Sequence, residues 1–229
     1  MEFYYHPFSS PCMGVWFTLN QLGVNFELKF VDLITEVDQR KEEFLKMNPL
    51  GKVPVLKDGD FCLNESHAIA QYLCLKYEAD DTAQKLYPKD LQNQAKVNSL
   101  MYLESDCLSK IYNYVNLTLW ARDQPPRKDR LNDVYSSLNS LETILERSKF
   151  LANEHPTLPD LFAIATVNLL DVAKFNDYQK YPNLVAWKQR MQQLPHYEES
   201  VGKHIPAITD FFQSKAYLNL PKNDYWGIK

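Results

Sequence analysis

Apolar positions change their spacing along this chain, and the change divides it. Phe3, Tyr4 and Tyr5 are aromatic, strand-favouring residues. Cys12 to Leu22 then places Val15, Leu19 and Leu22 on one helical side. Glu27 to Val31 alternates polar and apolar, which predicts a second strand. A helical segment stops at Met47, because Asn48-Pro49 disfavours its continuation. Two short apolar runs, Val53–Lys57 and Asp60–Leu63, flank Asp58-Gly59. That dipeptide predicts an antiparallel hairpin with both turn positions at positive φ. Glu65 to Tyr77 follows as a helix, with Ile69, Tyr72, Leu73 and Lys76 at helical spacing. Residues 1–79 thus read as a βαβαββα unit, and polar residues 80–90 read as a linker. From Leu91 the period is helical only. Helices are predicted over Leu91–Trp120, Leu131–Leu145, Asp160–Val172, Leu184–Leu194 and Val201–Phe212. The third is apolar nearly all round and should form the buried centre of an all-α domain over 91–229. Thr157, Pro159 and Asp160 mark its start as cap, first turn and N-terminal acid.

Composition narrows the class. The 229 residues are 45% hydrophobic with only 6 glycines, which suits two modest packed domains. A net charge of −4 without a basic run argues against nucleic acid as a partner. No run of about 18 apolar residues predicts a membrane span. The start has no basic region followed by an apolar stretch, so it is not read as a secretory signal. Cys12, Cys62, Cys74 and Cys107 are scattered, as reduced cytosolic thiols are, and form no metal-ligand pattern.

Candidate chemistry concentrates in Pro7-Phe8-Ser9-Ser10-Pro11-Cys12-Met13, where a strand hands over to a helix. A hydroxyl there lies beside orphan N–H donors and the positive end of the helix dipole, a place to hold an anion such as a thiolate. Both serines equally suit plain capping, with Ser10 the better placed cap before Pro11.

Four motifs carry a family resemblance: Ser9-Ser10-Pro11-Cys12, Asn48-Pro49-Leu50-Gly51-Lys52-Val53-Pro54, Asn64-Glu65-Ser66-His67-Ala68-Ile69, and Thr157-Leu158-Pro159-Asp160. In that order they resemble the cytosolic glutathione transferases of the serine type, in the theta, delta and epsilon branches. The resemblance implies a thioredoxin-like α/β domain followed by an all-α helical bundle, with glutathione as co-substrate and no metal. It implies Ser9 as the hydroxyl that ionises the glutathione thiol, with Ser10 and Tyr5 as its rivals. It assigns glutathione binding to Lys52, Val53, Pro54, Glu65, Ser66 and His67. Val53, ahead of a cis Pro54, would pair with the extended tripeptide, as a strand edge does. Glu65 and Ser66 open a helix that would hold the γ-glutamyl end.

The second substrate, a small hydrophobic electrophile, would lie against Ser105, Leu108 and Tyr112, with Tyr217, Tyr225 and Trp226 of the tail over it. A cytoplasmic homodimer is implied, with Tyr72, Leu73 and Met101 as contributors to the contact. Two departures stand out: the delta branch carries histidine where this chain has Gly51, and arginine where it has His67. The basic histidine after the second strand has Arg40 or Lys41 as its replacement. Two other readings stay open on the same fold: a non-catalytic protein binding hydrophobic ligands, and a glutathione-dependent peroxidase.

Overall fold

A computed structural model describes residues 1–120 and 128–215. Four strands form one sheet: β1 (Glu2–Tyr5), β2 (Glu27–Phe30), β3 (Val55–Asp58) and β4 (Phe61–Asn64). Their order is β2-β1-β3-β4, with β1 and β2 parallel and the other pairs antiparallel. A parallel pair needs a crossover, and α1 (Ser10–Gln21) supplies it. Alternation across the pleat then sorts the side chains. Phe3 and Leu56 pack under α1 and under α3 (Ser66–Lys76) in the main core. Tyr4 and Val55 point the other way, to Phe44 of α2 (Glu42–Met47) with Val31 and Leu33.

Three local outcomes differ from the sequence expectation. The hairpin loop is Gly59-Asp60, one residue later than Asp58-Gly59, and among these residues only Gly59 has positive φ, at 62°. Asp58 instead pairs with Phe61 in the ladder and takes hydrogen bonds from Tyr72 and Lys76. Residues 80–90 hold a helix, α4 (Asp81–Leu86), where a linker was expected. The Asp80 carboxylate caps it by accepting from the amides of Thr82 and Ala83. Ala83, Leu86 and Tyr87 join the core, so charged residues here hide a buried apolar side. The strand expected over Glu27 to Val31 ends one residue earlier, at Phe30, which lies on the sheet edge and is 57% exposed.

The helical domain comprises α5 (Leu91–Trp120), α6 (Lys128–Leu145), α7 (Leu158–Val172), α8 (Pro182–Gln192) and α9 (His204–Gln213). A π-helical turn, Glu198–Gly202, precedes α9. At about 1.5 Å per residue, the 30 residues of α5 run roughly 45 Å. Every residue from Leu158 to Leu170 is buried, so α7 is the axis of the bundle. It also meets the first domain. A methyl on Gly14 of α1 would lie 2.3 Å from the Phe162 ring, so the two helices touch where only glycine fits.

The start of α7 is fixed by Asp160, which is fully buried. Its Oδ1 accepts from the Leu151 amide at 2.8 Å and the Trp187 indole at 2.9 Å. Its Oδ2 accepts from the amide and the hydroxyl of Thr157, both at 2.9 Å. Burial pushes this carboxyl above its usual range, and the four donors pull against that shift. Asp160→Ala would strand those donors in the interior, where each unsatisfied group costs about 1–3 kcal/mol. A net loss of about 3 kcal/mol lowers the melting temperature by roughly 6–12 °C in a chain of this size. Calorimetry should show that fall with the choice of substrate unchanged, and an unaltered melting temperature would refute the role.

Candidate active site

The loop between β1 and α1 is held from both ends. The Ser9 amide donates to the His6 carbonyl at 3.1 Å, and the Phe8 amide donates to His6 Nδ1 at 3.1 Å. Ser9, not Ser10, is the N-cap of α1: its backbone is extended and its Oγ accepts from the Cys12 amide at 3.4 Å. The sequence placed the cap one residue too late. Ser10 is the first helical residue, buried, with an Oγ lacking a partner among the described residues. Cys12 faces the core, and burial pushes its thiol up to about 12, which makes it inert. Tyr5 packs edge-on against Trp16, and burial raises its hydroxyl too.

Ser9 lines a cleft of about 360 Å³ between the two domains. Lys52 and Val53 stand on the same wall system, and Ser105, Leu108 and Tyr112 of α5 stand on the other. The sequence missed several further lining residues, among them His6, Phe8, Ile208, Phe211 and Phe212. The rings of Phe8 and Phe211 approach to 5.3 Å, joining the serine loop to α9. Helical spacing in α9 could have signalled those two phenylalanines, whereas the isolated His6 and Phe8 carry no pattern.

The polar end is braced by Asn48. Its side chain donates to the Lys52 carbonyl at 2.7 Å and accepts from the Leu50 amide and from Asn64, each at 3.1 Å. That ties the 48–52 loop to the residue before Glu65. The Val53-Pro54 bond is cis, as expected, and Pro54 is buried. Glu65 sits at φ 67° as the N-cap of α3, a left-handed conformation costly for a residue with a side chain. It turns Ser66 into the first position of α3, beside that helix's unpaired amides.

Residues 8–76 match the family model for the glutathione S-transferase N-terminal domain, and residues 76–195 match that for its C-terminal domain. The chain belongs to the glutathione S-transferase family. It is 30% identical to a delta-class glutathione transferase of Nilaparvata lugens, over 93% of this chain and 98% of that one, with a TM-score of 0.86. It is 32% identical to an epsilon-class enzyme of the housefly, Musca domestica, over 96% and 99%, at 0.85. A glutathione transferase homologue of Drosophila mojavensis, solved with bound glutathione, is 30% identical over 93% and 96%, also at 0.85.

In this transferase the departures have structural reasons. Gly51 has φ 59°, and a side chain there would meet the Gln39 carbonyl at 3.0 Å. Lys41 pairs with Asp38 at 2.6 Å, and neither it nor Arg40 lines the cleft. The buried residue of that segment is Gln39. His67 is also away from the cleft lining and bonds Glu104 at 2.8 Å. Leu73 and Met101, named above for a dimer contact, lie in this subunit's own core at 0% and 2% exposure. Tyr217, Tyr225 and Trp226 lie outside the described residues. Among the described residues, no three His, Cys, Asp or Glu side chains gather as a metal site, and no helix is long and apolar enough to cross a membrane.

Burial lowers His6 to about 4, against the opposing pull of Asp32. At neutral pH the ring is uncharged, with Nδ1 accepting from Phe8 and the proton on Nε2. The unfolded chain binds a second proton near pH 6.5, the folded chain only near 4. Stability is therefore complete above about pH 6.5 and falls as the pH drops towards 4, by on the order of 2–3 kcal/mol for this group. His204, also lowered to about 4 by burial, acts in the same direction. Urea midpoints should fall from pH 7 to pH 4.5, and by less in His6→Leu. Equal falls in the two proteins would remove His6 from this account.

Proposed function

We propose that this transferase binds glutathione along Lys52, Val53, Pro54, Glu65 and Ser66, ionises its thiol at Ser9, and joins the thiolate to an apolar electrophile held by Leu108 and Tyr112. The observation that carries this reading is the shared cleft, with Ser9, Lys52 and Val53 on one side and Ser105, Leu108 and Tyr112 on the other. Ser9 does not need to take the proton. A free thiol has a pKa of about 8.5, so only a few per cent is ionised near pH 7. Lowering it by about two units requires roughly 2.7 kcal/mol. One hydrogen bond to a charged group supplies about 1.5–3, and the start of α1 adds its dipole. Ser9 Oγ uses a lone pair on the Cys12 amide, which leaves its proton available to sulfur.

Ser9→Ala should lower kcat/KM for a chlorodinitrobenzene by roughly 10- to 150-fold, the equivalent of that hydrogen bond, with the fold intact. Ser10→Ala removes a buried hydroxyl with no partner and should leave both rate and stability nearly unchanged. A damaging Ser10 variant beside a benign Ser9 variant would move the chemistry by one residue. The second reading, a non-catalytic binding protein, is favoured by Gly51 and by the engagement of His67 with Glu104, which remove two basic contacts. Retention on immobilised glutathione without turnover would select it.

The protein is read as a cytosolic homodimer. Four free thiols suit a reducing compartment. Phe61, Leu75, Leu91 and Tyr102 are large apolar residues left 48–80% exposed on β4, α3 and α5, where a self-complementary contact would cover them. Sedimentation at micromolar concentration should give twice the chain mass. A monomer there would refute a stable dimer.

A further inference from the structure

The turn that carries Ser9 also carries a ring that the chemistry above leaves idle. His6 lines the same cleft, and its carbonyl accepts from the Ser9 amide at 3.1 Å. The two side chains therefore leave one short turn for one cavity. The imidazole is held on several sides. The Phe8 amide donates to Nδ1 at 3.1 Å, the Phe8 ring stands edge-on at 5.1 Å, and the Phe30 ring lies at 5.6 Å. With Nδ1 occupied as an acceptor, the neutral ring carries its proton on Nε2. That N–H has no acceptor among the described residues. Unlike Trp16 Nε1 and His204 Nε2, which are sealed without partners, it keeps access to the cleft.

No neighbouring group competes for it. The Asp32 carboxylate, which follows β2, pulls on the ring from a distance. Its oxygens are engaged by the amides of Ile34 at 2.7 Å and Thr35 at 2.9 Å and by the Thr35 hydroxyl. Lys52 is the one charged side chain on the cleft lining among the described residues, and an ammonium accepts no hydrogen bond. The hydroxyls of Ser105, Ser109 and Tyr112 belong to α5, on the facing wall. The N–H is therefore completed by whatever occupies the corner beside Ser9. An anion satisfies it best, because a hydrogen bond to a charged acceptor is roughly twice as strong as one between neutral groups.

We propose that His6 Nε2–H is a second hydrogen-bond donor to the glutathione sulfur, acting with the Ser9 hydroxyl to stabilise the thiolate. This rests on the transferase reading above. The sulfur accepts from oxygen and from nitrogen, and the thiol's proton leaves to solvent. His6 neither gives up nor takes a proton, since Nε2 is already protonated and Phe8 blocks Nδ1. The two phenylalanine rings hold the imidazole plane, so the donor is in place before the thiol ionises. One such bond lowers the thiol pKa by about one unit, roughly a tenfold gain in thiolate at a pH below it.

The test titrates the thiol of enzyme-bound glutathione by the ultraviolet absorbance of its thiolate, in the wild type, Ser9→Ala, His6→Asn and His6→Gln. The two His6 variants separate a donor from a brace. The Asn amide oxygen takes the place of Nδ1 and keeps the Phe8 bond, but nothing replaces Nε2–H. The Gln amide nitrogen takes the place of Nε2–H, but no acceptor is left for Phe8. His6→Asn should raise the bound-thiol pKa by about one unit and lower kcat/KM for a chlorodinitrobenzene roughly tenfold below that pKa, with KM for glutathione within about twofold. His6→Gln should return to within about threefold of the wild type. The reverse pattern, or an equal loss in both variants, would make His6 a brace of the loop only and overturn the proposal. A thiol pKa unmoved in both variants would overturn it too, and a rise confined to KM for the electrophile would then assign the N–H to the second substrate. In each of these cases a raised thiol pKa in Ser9→Ala leaves the transferase reading standing. A wild type that neither lowers the thiol pKa nor turns over would overturn that reading together with this one.

Discussion

A single buried carboxylate holds the frame from which the cleft is built. Asp160 gathers Thr157, Leu151 and Trp187, and so sets the start of α7 against the preceding loop and α8. Burying a carboxylate without partners is prohibitively costly, so the four donors are a condition of the fold and not an addition to it. Two residues further along, Phe162 packs on Gly14 of α1, and about one turn beyond that Thr166 donates to Glu104 of α5. The cleft walls are therefore both referred to α7, though α7 contributes little to the lining itself.

That dependence explains what could be read in the sequence. The βαβαββα order, the five helices and the Thr157–Asp160 start follow from periodicity and capping, which are local. So does the placing of Ser9 before a helix. What periodicity could not supply was register. Asp58-Gly59 carries a hairpin signal, but Asp58 has Tyr72 and Lys76 as partners, and those tertiary bonds hold it in the ladder while Gly59 takes the turn. Residues 80–90 look like a linker because three of the short helix's six positions are exposed, and its two buried residues, Ala83 and Leu86, are too few to give a pattern.

The site divides in the same way. Ser9, Lys52 and Val53, and Ser105, Leu108 and Tyr112, were legible because motif and helical spacing placed them. His6 was not. Its role arises from a backbone amide two residues on, and no sequence pattern reports that contact. The contact of His67 was not legible for a related reason: its partner, Glu104, is contributed from 37 residues further along the chain.

His6 in the cleft and His67 outside its lining also show how environment separates like side chains. His6 has a peptide N–H pointed at Nδ1 and an apolar surround of Phe8 and Phe30, so a second proton would have neither a partner nor solvent. A neutral ring beside Ser9 adds no positive charge, so the thiolate proposed there would rely on hydrogen bonding and the α1 terminus. His67 has the Glu104 carboxylate on one nitrogen and the Ser105 hydroxyl on the other, so both ring nitrogens have partners. The first arrangement fixes a loop and cannot shuttle a proton. The two histidines thus brace different junctions, His6 the serine loop and His67 the meeting of α3 with α5.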